Sequence, residues 1–182
     1  MINKRRVILY LLPLLIFLTI IAFLYTAITQ KEKNEDFSVL QGQRFPDVAY
    51  KGALIDGVQY DGFSSRDLLS NKLSIVNIWA SWCTPCRAEH EFLIVLNQKL
   101  IPIYGINYKD KLINAKNFLN ELGDPYTAIG FDEDGLSAIN LGIYGIPETF
   151  IIDKSGIILK KYIGPITSER MKEIEELYDS NI

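Results

Sequence analysis

An apolar run rich in Ile, Val and Trp, Leu73 to Ala80, ends at Trp82-Cys83-Thr84-Pro85-Cys86 and gives way to Phe92, Leu93, Leu96 and Leu100 at helical spacing. A strand that enters a helix through so short a turn commits the middle of the chain to one local shape, a strand with a helix folded back on it. The turn holds both cysteines of the chain. No other thiol is left to complete a disulfide framework or a zinc site of several thiolates. Dithiol chemistry is the reading; the bland alternative, a static disulfide or a chance pairing, is disfavoured by the strand, turn and helix around it. Zinc needs four ligands, whereas the chain offers two Cys and one His.

This spacing puts Cys83 at the first turn of the helix and Cys86 one turn further in. Unpaired N–H groups and the positive end of the helix dipole there favour a thiolate, which makes Cys83 the attacking sulfur. Cys86 is the more sheltered thiol, suited to resolve a mixed disulfide. Pro85 is tolerated in a first turn, where its missing N–H costs no internal bond. The expected redox group is the Cys83–Cys86 pair itself, with no further cofactor and no metal.

From Val7 to Gln30 no residue is charged. As a helix this stretch spans roughly 36 Å, against a hydrocarbon core of about 30 Å, and Pro13 in its first third is a candidate kink. A cleaved signal peptide would have a shorter apolar region, about 7 to 15 residues, ending in an A-x-A pattern that Ala22 and Ala27 do not form. An uncleaved anchor is therefore favoured. Lys4, Arg5 and Arg6 precede it, while Lys31 and Lys33 beyond it are mixed with Glu32, Glu35 and Asp36. The positive-inside tendency keeps the short N-terminus in the cytoplasm and sends the rest across. The formal charge is −3 and becomes more negative once those three cations are set aside, so nucleic acid is excluded as a partner class. The expected division is a cytoplasmic 1–6, an anchor 7–30, a linker 31–41 and one domain over 42–182, long enough to hold itself together by its core.

Within that domain, Phe37 to Gln59 reads as an irregular extension with one or two short strands, and Ser64-Ser65-Arg66-Asp67 as the start of a short capped helix. A strand over Ile101 to Asn107, a helix over Ile113 to Leu122, an extended segment over Tyr126 to Phe131 and a short helix over Leu136 to Leu141 follow. Two last strands, Glu148 to Asp153 and Ile157 to Ile163, flank the turn Lys154-Ser155-Gly156. A helix from Ser168 to Tyr178 with Met171, Ile174 and Tyr178 on one face closes the chain. Alternating strands and helices that end in a hairpin predict an α/β fold with a mixed central sheet.

Together with the cysteine motif, Gly145-Ile146-Pro147 ahead of a strand resembles the thioredoxin fold. Four stretches narrow the likeness: Cys86-Arg87-Ala88-Glu89-His90, Gly105-Ile106-Asn107-Tyr108-Lys109-Asp110, Phe131-Asp132-Glu133-Asp134-Gly135, and Leu141-Gly142-Ile143-Tyr144-Gly145-Ile146-Pro147-Glu148-Thr149-Phe150. They are similar to the CcmG/DsbE family, membrane-anchored thiol-disulfide oxidoreductases of cytochrome c maturation. The resemblance implies a thioredoxin-like domain in the periplasm, held to the bacterial inner membrane by a single pass. It also implies reduction of the disulfide of apocytochrome c, or of a partner thiol protein of the maturation system, before haem attachment. Electrons would come from a transmembrane donor of the DsbD/CcdA type.

Pro147 matches the family's cis-proline, beside which Ile146 would meet a substrate backbone as an added strand; residue statistics alone would make that bond trans. Where many thioredoxins carry a buried Asp, this chain has Asn77, which cannot exchange a proton. Glu89, three residues after Cys86, and Glu148, directly after Pro147, then become the candidate supporting acids, each weighed against a plain structural or solvated carboxylate. His90 is expected to be a solvated surface residue rather than a catalytic base. Trp79 is expected in the core and Trp82 beside the nucleophile, shielding it and offering substrate surface. Asp132, Asp134 and Gly135 read as a plain turn, not a calcium loop, since the ligand series does not continue. Two other functions use the same features: a general periplasmic disulfide oxidant, and a module that holds apocytochrome or haem without redox turnover.

Overall fold

The computed structural model describes residues 4–31 and 40–180, with side chains of the first segment described over residues 12–26. The chain divides into a unit over 1–36 and a unit over 37–182. The first holds helix α1 (Lys4–Lys31), with Pro13 inside it. Its described side chains, residues 12–26, are exposed, and Thr19 and Thr26 fold their hydroxyls back onto the carbonyls of Ile16 and Phe23. Among the described residues no helix is long and apolar enough to cross a membrane. Most of the expected linker, residues 32–39, lies outside the described residues.

The second unit opens with a hairpin, β1 (Ala53–Ile55) and β2 (Val58–Tyr60). Its turn, Asp56-Gly57, has positive φ at both positions, the geometry that matches strand twist in a two-residue loop. The short helix α2 (Ser65–Leu68) begins where the Asp67 carboxylate accepts both the amide and the hydroxyl of Ser64. Then come β3 (Leu73–Trp79), α3 (Thr84–Gln98), β4 (Ile103–Tyr108), α4 (Leu112–Leu122), β5 (Ala128–Asp132), α5 (Leu136–Asn140), β6 (Glu148–Asp153), β7 (Ile158–Ile163) and α6 (Ser168–Ser180). The five-stranded sheet runs β5-β4-β3-β6-β7, with β3, β4 and β5 parallel, β6 antiparallel to β3, and β7 antiparallel to β6. This is the mixed, helix-flanked sheet of the thioredoxin-like fold.

Every residue of β3 is buried, because this central strand is covered on both faces. Alternation along the strand sends Leu73, Ile75, Asn77 and Trp79 to one face and Ser74, Val76 and Ile78 to the other. On the first face Leu73, Ile75, Ile103, Ile151 and Tyr162 pack with Leu93 and Leu96 of α3 and Ile174 of α6. Beside them Trp79 and Ile129 pack with Ala115, Phe118 and Leu119 of α4 and with both cysteines. On the second face Val76, Ile78, Ile106, Phe150 and Ile152 meet Phe45, Phe63 and Leu68 of the N-terminal segments. On the outer edge of β5 the Ile129 amide donates to the Asp61 carbonyl, which covers one of the donors that this edge presents.

Two sequence expectations shift. The helical apolar row stops at Leu96: Leu100 lies beyond the helix at φ 62° and is 83% exposed. The amides of Leu100 and Ile101 donate to the carbonyls of Asn97 and Leu96, so Leu100 fills the left-handed residue of a Schellman cap and Ile101 takes the buried place. The strand expected from Ile101 starts at Ile103, since Pro102 has no amide to give and contributes its carbonyl to Ile75 instead.

Gly105 on β4 sits beneath the active-site end of the sheet, where a Cβ would come within 2.9 Å of Trp79 Nε1 and Tyr126 Cδ1. Those two rings stack at 5.3 Å with planes 15° apart. Gly105→Ala is expected to force this pair off the sheet and to destabilise the domain by about 1–3 kcal/mol, read from the midpoint of urea unfolding.

Candidate functional site

The site forms where β3 ends and α3 begins. Ser81, in the connecting turn, is fixed by Asp110, whose carboxylate accepts the Ser81 amide at 2.6 Å and its hydroxyl at 2.8 Å. The same carboxylate accepts Asn107 Nδ2 and the Lys111 amide. The loop after β4 thus holds the turn that delivers Cys83. Trp82 next to it is 58% exposed, with Nε1 donating to the Lys109 carbonyl.

Cys83 occupies the N-cap of α3 in extended conformation, one position outside the first turn expected for it. Its Sγ takes the place of a capping oxygen and accepts the Cys86 amide at 3.1 Å. No acidic residue stands in the first turn of α3 to oppose negative charge there. Cys83 and Cys86 are joined by a disulfide, and both are buried, at 4% and 2% exposure, while Thr84 and Pro85 between them are exposed. Reduction of this pair leaves Cys83 facing the N–H groups and dipole of the helix end, which stabilise a thiolate.

The Ile146–Pro147 bond is cis. Ile146 is half-buried against the cluster that contains both cysteines, and the Pro147 carbonyl accepts the Gly164 amide at 2.9 Å. The fold therefore brings the cysteine pair and the loop before β6 together, although some sixty residues separate them in sequence.

The two candidate acids do not share a site. Glu89 is fully buried on α3. Its Oε1 accepts Asn77 Nδ2 at 2.8 Å, and its Oε2 accepts the Ile166 amide at 2.7 Å. Asn77 Nδ2 also donates to Thr149 Oγ1, and Asn77 Oδ1 accepts the Tyr126 hydroxyl. Burial pushes the Glu89 pKa up to about 7, against the opposing pull of the Ile166 and Asn77 hydrogen bonds and the Arg170 charge. Thr149 faces this network, so Glu148, its neighbour on β6, faces the other side of the sheet. There Glu148 Oε1 accepts the amides of Tyr144 and Gly145, and Oε2 meets Lys161 Nζ at 2.7 Å as an ion pair rather than an aligned hydrogen bond.

His90 is not the solvated residue its polarity suggested. It is buried, its Nε2 bonds the Gly123 carbonyl at 2.9 Å, and its ring packs edge-on to Phe118. Burial lowers its pKa, so the neutral ring is favoured. Helix α3 is covered by α4 on the side where solvent was expected. Trp79 lies in the core. Asp132 caps α5 by accepting the amides of Ser137 and Ala138, and Asp134 accepts that of Leu136. Sequence reasoning assigned no role to Asp110, Tyr126 or Lys161; the one available signal was Asp110's place in the Asn107-Tyr108-Lys109-Asp110 loop.

Residues 40–178 match the Redoxin family. The chain is 37% identical over 180 residues to the thiol:disulfide interchange protein DsbE of Escherichia coli K12, covering 96% of each chain. It is 38% identical over 167 residues to the thiol:disulfide interchange protein HelX of Rhodobacter capsulatus, covering 91% of this chain and 93% of that one. A crystal structure of a DsbE from Chlorobium tepidum superposes with a TM-score of 0.67 at 22% identity, over 80% of this chain and all of that one, a likeness of fold.

The raised Glu89 pKa has a thermodynamic consequence. Between about pH 4.5 and pH 7 the folded state keeps a proton on Glu89 that the unfolded chain has released, so stability falls as pH rises across that window. The Glu89→Gln variant is expected to lose this slope. The stability of the wild-type chain minus that of the variant should drop by on the order of 3 kcal/mol from pH 4.5 to pH 8 in urea unfolding.

Proposed function

We propose that this chain, which belongs to the Redoxin family and within it to the DsbE and HelX group of thiol:disulfide interchange proteins, and is a thiol-disulfide oxidoreductase, works as a reductant in cytochrome c maturation. It opens the disulfide of apocytochrome c or of a partner thiol protein before haem attachment. The observation that carries the reading is the placement of Cys83 at the cap of α3 with Ile146 packed against the same cluster. That arrangement offers one sulfur to an incoming disulfide and a backbone edge to the chain that carries it.

In this scheme the Cys83 thiolate attacks one substrate sulfur. The substrate S–S bond breaks, its other sulfur leaves and takes a proton, and a mixed disulfide remains. Cys86 then gives up its proton and attacks Cys83. The Cys83–Cys86 bond forms, and the second substrate sulfur departs as a thiol. Two electrons and two protons have passed to the substrate. Glu89, one helical turn from Cys86, serves as the buried acceptor for the Cys86 proton, and its pKa of about 7 suits that exchange. Trp82 and Pro85 shield the pair, and Glu148 supports the loop at Pro147. A transmembrane donor of the DsbD/CcdA type returns the electrons.

The same reading puts the catalytic domain in the periplasm on an N-terminal anchor over residues 7–30. The uncharged stretch Val7 to Gln30 behind Lys4, Arg5 and Arg6 supports it. So does the match to the Escherichia coli protein, which covers 96% of both chains and so reaches into that segment.

Cys86→Ser is expected to accumulate a mixed disulfide on Cys83 that carries apocytochrome c or a maturation partner, identified by non-reducing gels and mass spectrometry. Cys83→Ser should trap nothing. Equilibration with glutathione should give a potential well below about −120 mV; a value at that level would make the protein an oxidant and overturn the reading. Alkaline phosphatase fused to the C-terminus should be active in cells, and inactive once residues 1–30 are deleted.

A further inference from the structure

Lysine is almost never fully buried, because its ammonium loses hydration it cannot easily regain. Lys161 on β7 is fully buried, and so is its counter-ion Glu148. A buried pair of this kind is seldom retained for stability alone, since desolvation offsets most of the attraction. What distinguishes this pair is the main chain it grips. Lys161 Nζ donates to the Gly142 carbonyl at 2.8 Å. Glu148 Oε1 accepts the Tyr144 amide at 2.8 Å and the Gly145 amide at 3.2 Å. Three of the four residues before Ile146 are thus tied to two charged side chains on the last two strands.

The start of the segment is also tied to the end of α5, where the Gly142 and Ile143 amides donate to the carbonyls of Ile139 and Ala138 and Ile143 packs on the core, so the clamp matters most at Tyr144 and Gly145. Gly142, Tyr144 and Gly145 are exposed, Tyr144 at 81%, and no atom lies within 4 Å of where a Cβ on Gly145 would be. The Lys161 ammonium also lies over the Tyr144 ring, 5.3 Å from its centroid. Immediately after this segment come Ile146 and Pro147, the edge beside the cysteine pair.

We propose that Lys161 is a positioning residue for thiol-disulfide exchange: with Glu148 it clamps residues 142–145 so that the Ile146 backbone is held in place to receive an extended polypeptide. The clamp acts on recognition of a chain, not on the sulfur chemistry, and as a statement about substrate binding it rests on the reductase reading above.

The test uses the reduced full-length protein with two probes: a synthetic peptide carrying one intramolecular CxxC disulfide, and the small disulfide 5,5′-dithiobis(2-nitrobenzoic acid), which has no backbone to align. For Lys161→Met the peptide KM is expected to rise about tenfold with kcat changed less than twofold, and the second-order rate with the small disulfide to stay within twofold. Lys161→Arg should restore the peptide KM. Lys161→Met with Glu148→Leu replaces both charges by apolar groups, so no unpaired charge is left to unfold the domain, and it should keep the raised KM. Amide hydrogen exchange reads the clamp without any substrate: Tyr144 and Gly145 should exchange at least tenfold faster in both variants. Unchanged exchange at those two amides overturns the clamp. Equal losses with peptide and small disulfide, or a wild-type KM in the double variant, overturn its role in recognition. A wild-type protein that reduces neither probe refutes the reductase reading instead, with exchange still deciding the clamp.

Discussion

The seat of α3 on the central strand is the constraint from which the site follows, and a carboxylate buried between them sets it. Glu89 joins α3 to Asn77 of β3 through one oxygen and to the chain ahead of α6 through the other. An unpaired carboxylate at that depth would cost several kcal/mol, so the helix is held at the one position where both oxygens find donors. Cys83 at the helix start and Cys86 one turn in are placed by the same seating. Tyr126, which reaches Asn77 with its hydroxyl and stacks on Trp79 with its ring, extends the network across β4, where only glycine at position 105 leaves room.

The two sides of the sheet divide the labour. On the α3 side lie the sulfurs and the acid with a raised pKa. On the other side Glu148 and Lys161 grip the segment before Ile146. The division follows from strand alternation, which turns Thr149 toward Asn77 and Glu148 away from it. The two functions meet only at the end of the sheet, where the loop before β6 lies against the cysteine cluster. The buried acid beside the sulfurs and the segment before Ile146 are therefore held by different sets of side chains.

Much of the fold was legible because its elements carry strong local signals. The apolar run of β3, the capped start of α2 at Ser64, the hairpin around Lys154-Ser155-Gly156 and the face of α6 fall where periodicity and turn residues put them. The misplaced details are those decided by neighbours. Leu100 continues a helical apolar row in sequence, yet the chain turns left-handed there and buries Ile101 in its stead. His90 follows the motif as a polar residue of a helix, and only the packing of α4 shows it enclosed against Phe118. Glu89 and Glu148 could be selected as acids but not told apart, since their difference lies in which face of the sheet each reaches.

By itself the sequence determined that two thiols sit at a strand-to-helix turn, that no other cysteine competes with them, and that strands and helices alternate around a mixed sheet. These follow from local spacing and counting, which need no partner in space. Only the tertiary structure decided that Glu89 is enclosed with a pKa near 7, that Asp110 fixes the turn before Cys83, and that Lys161 lies buried against Glu148. Burial and hydrogen bonding depend on residues tens of positions away, and no local pattern in the chain encodes how far a charge will end from water.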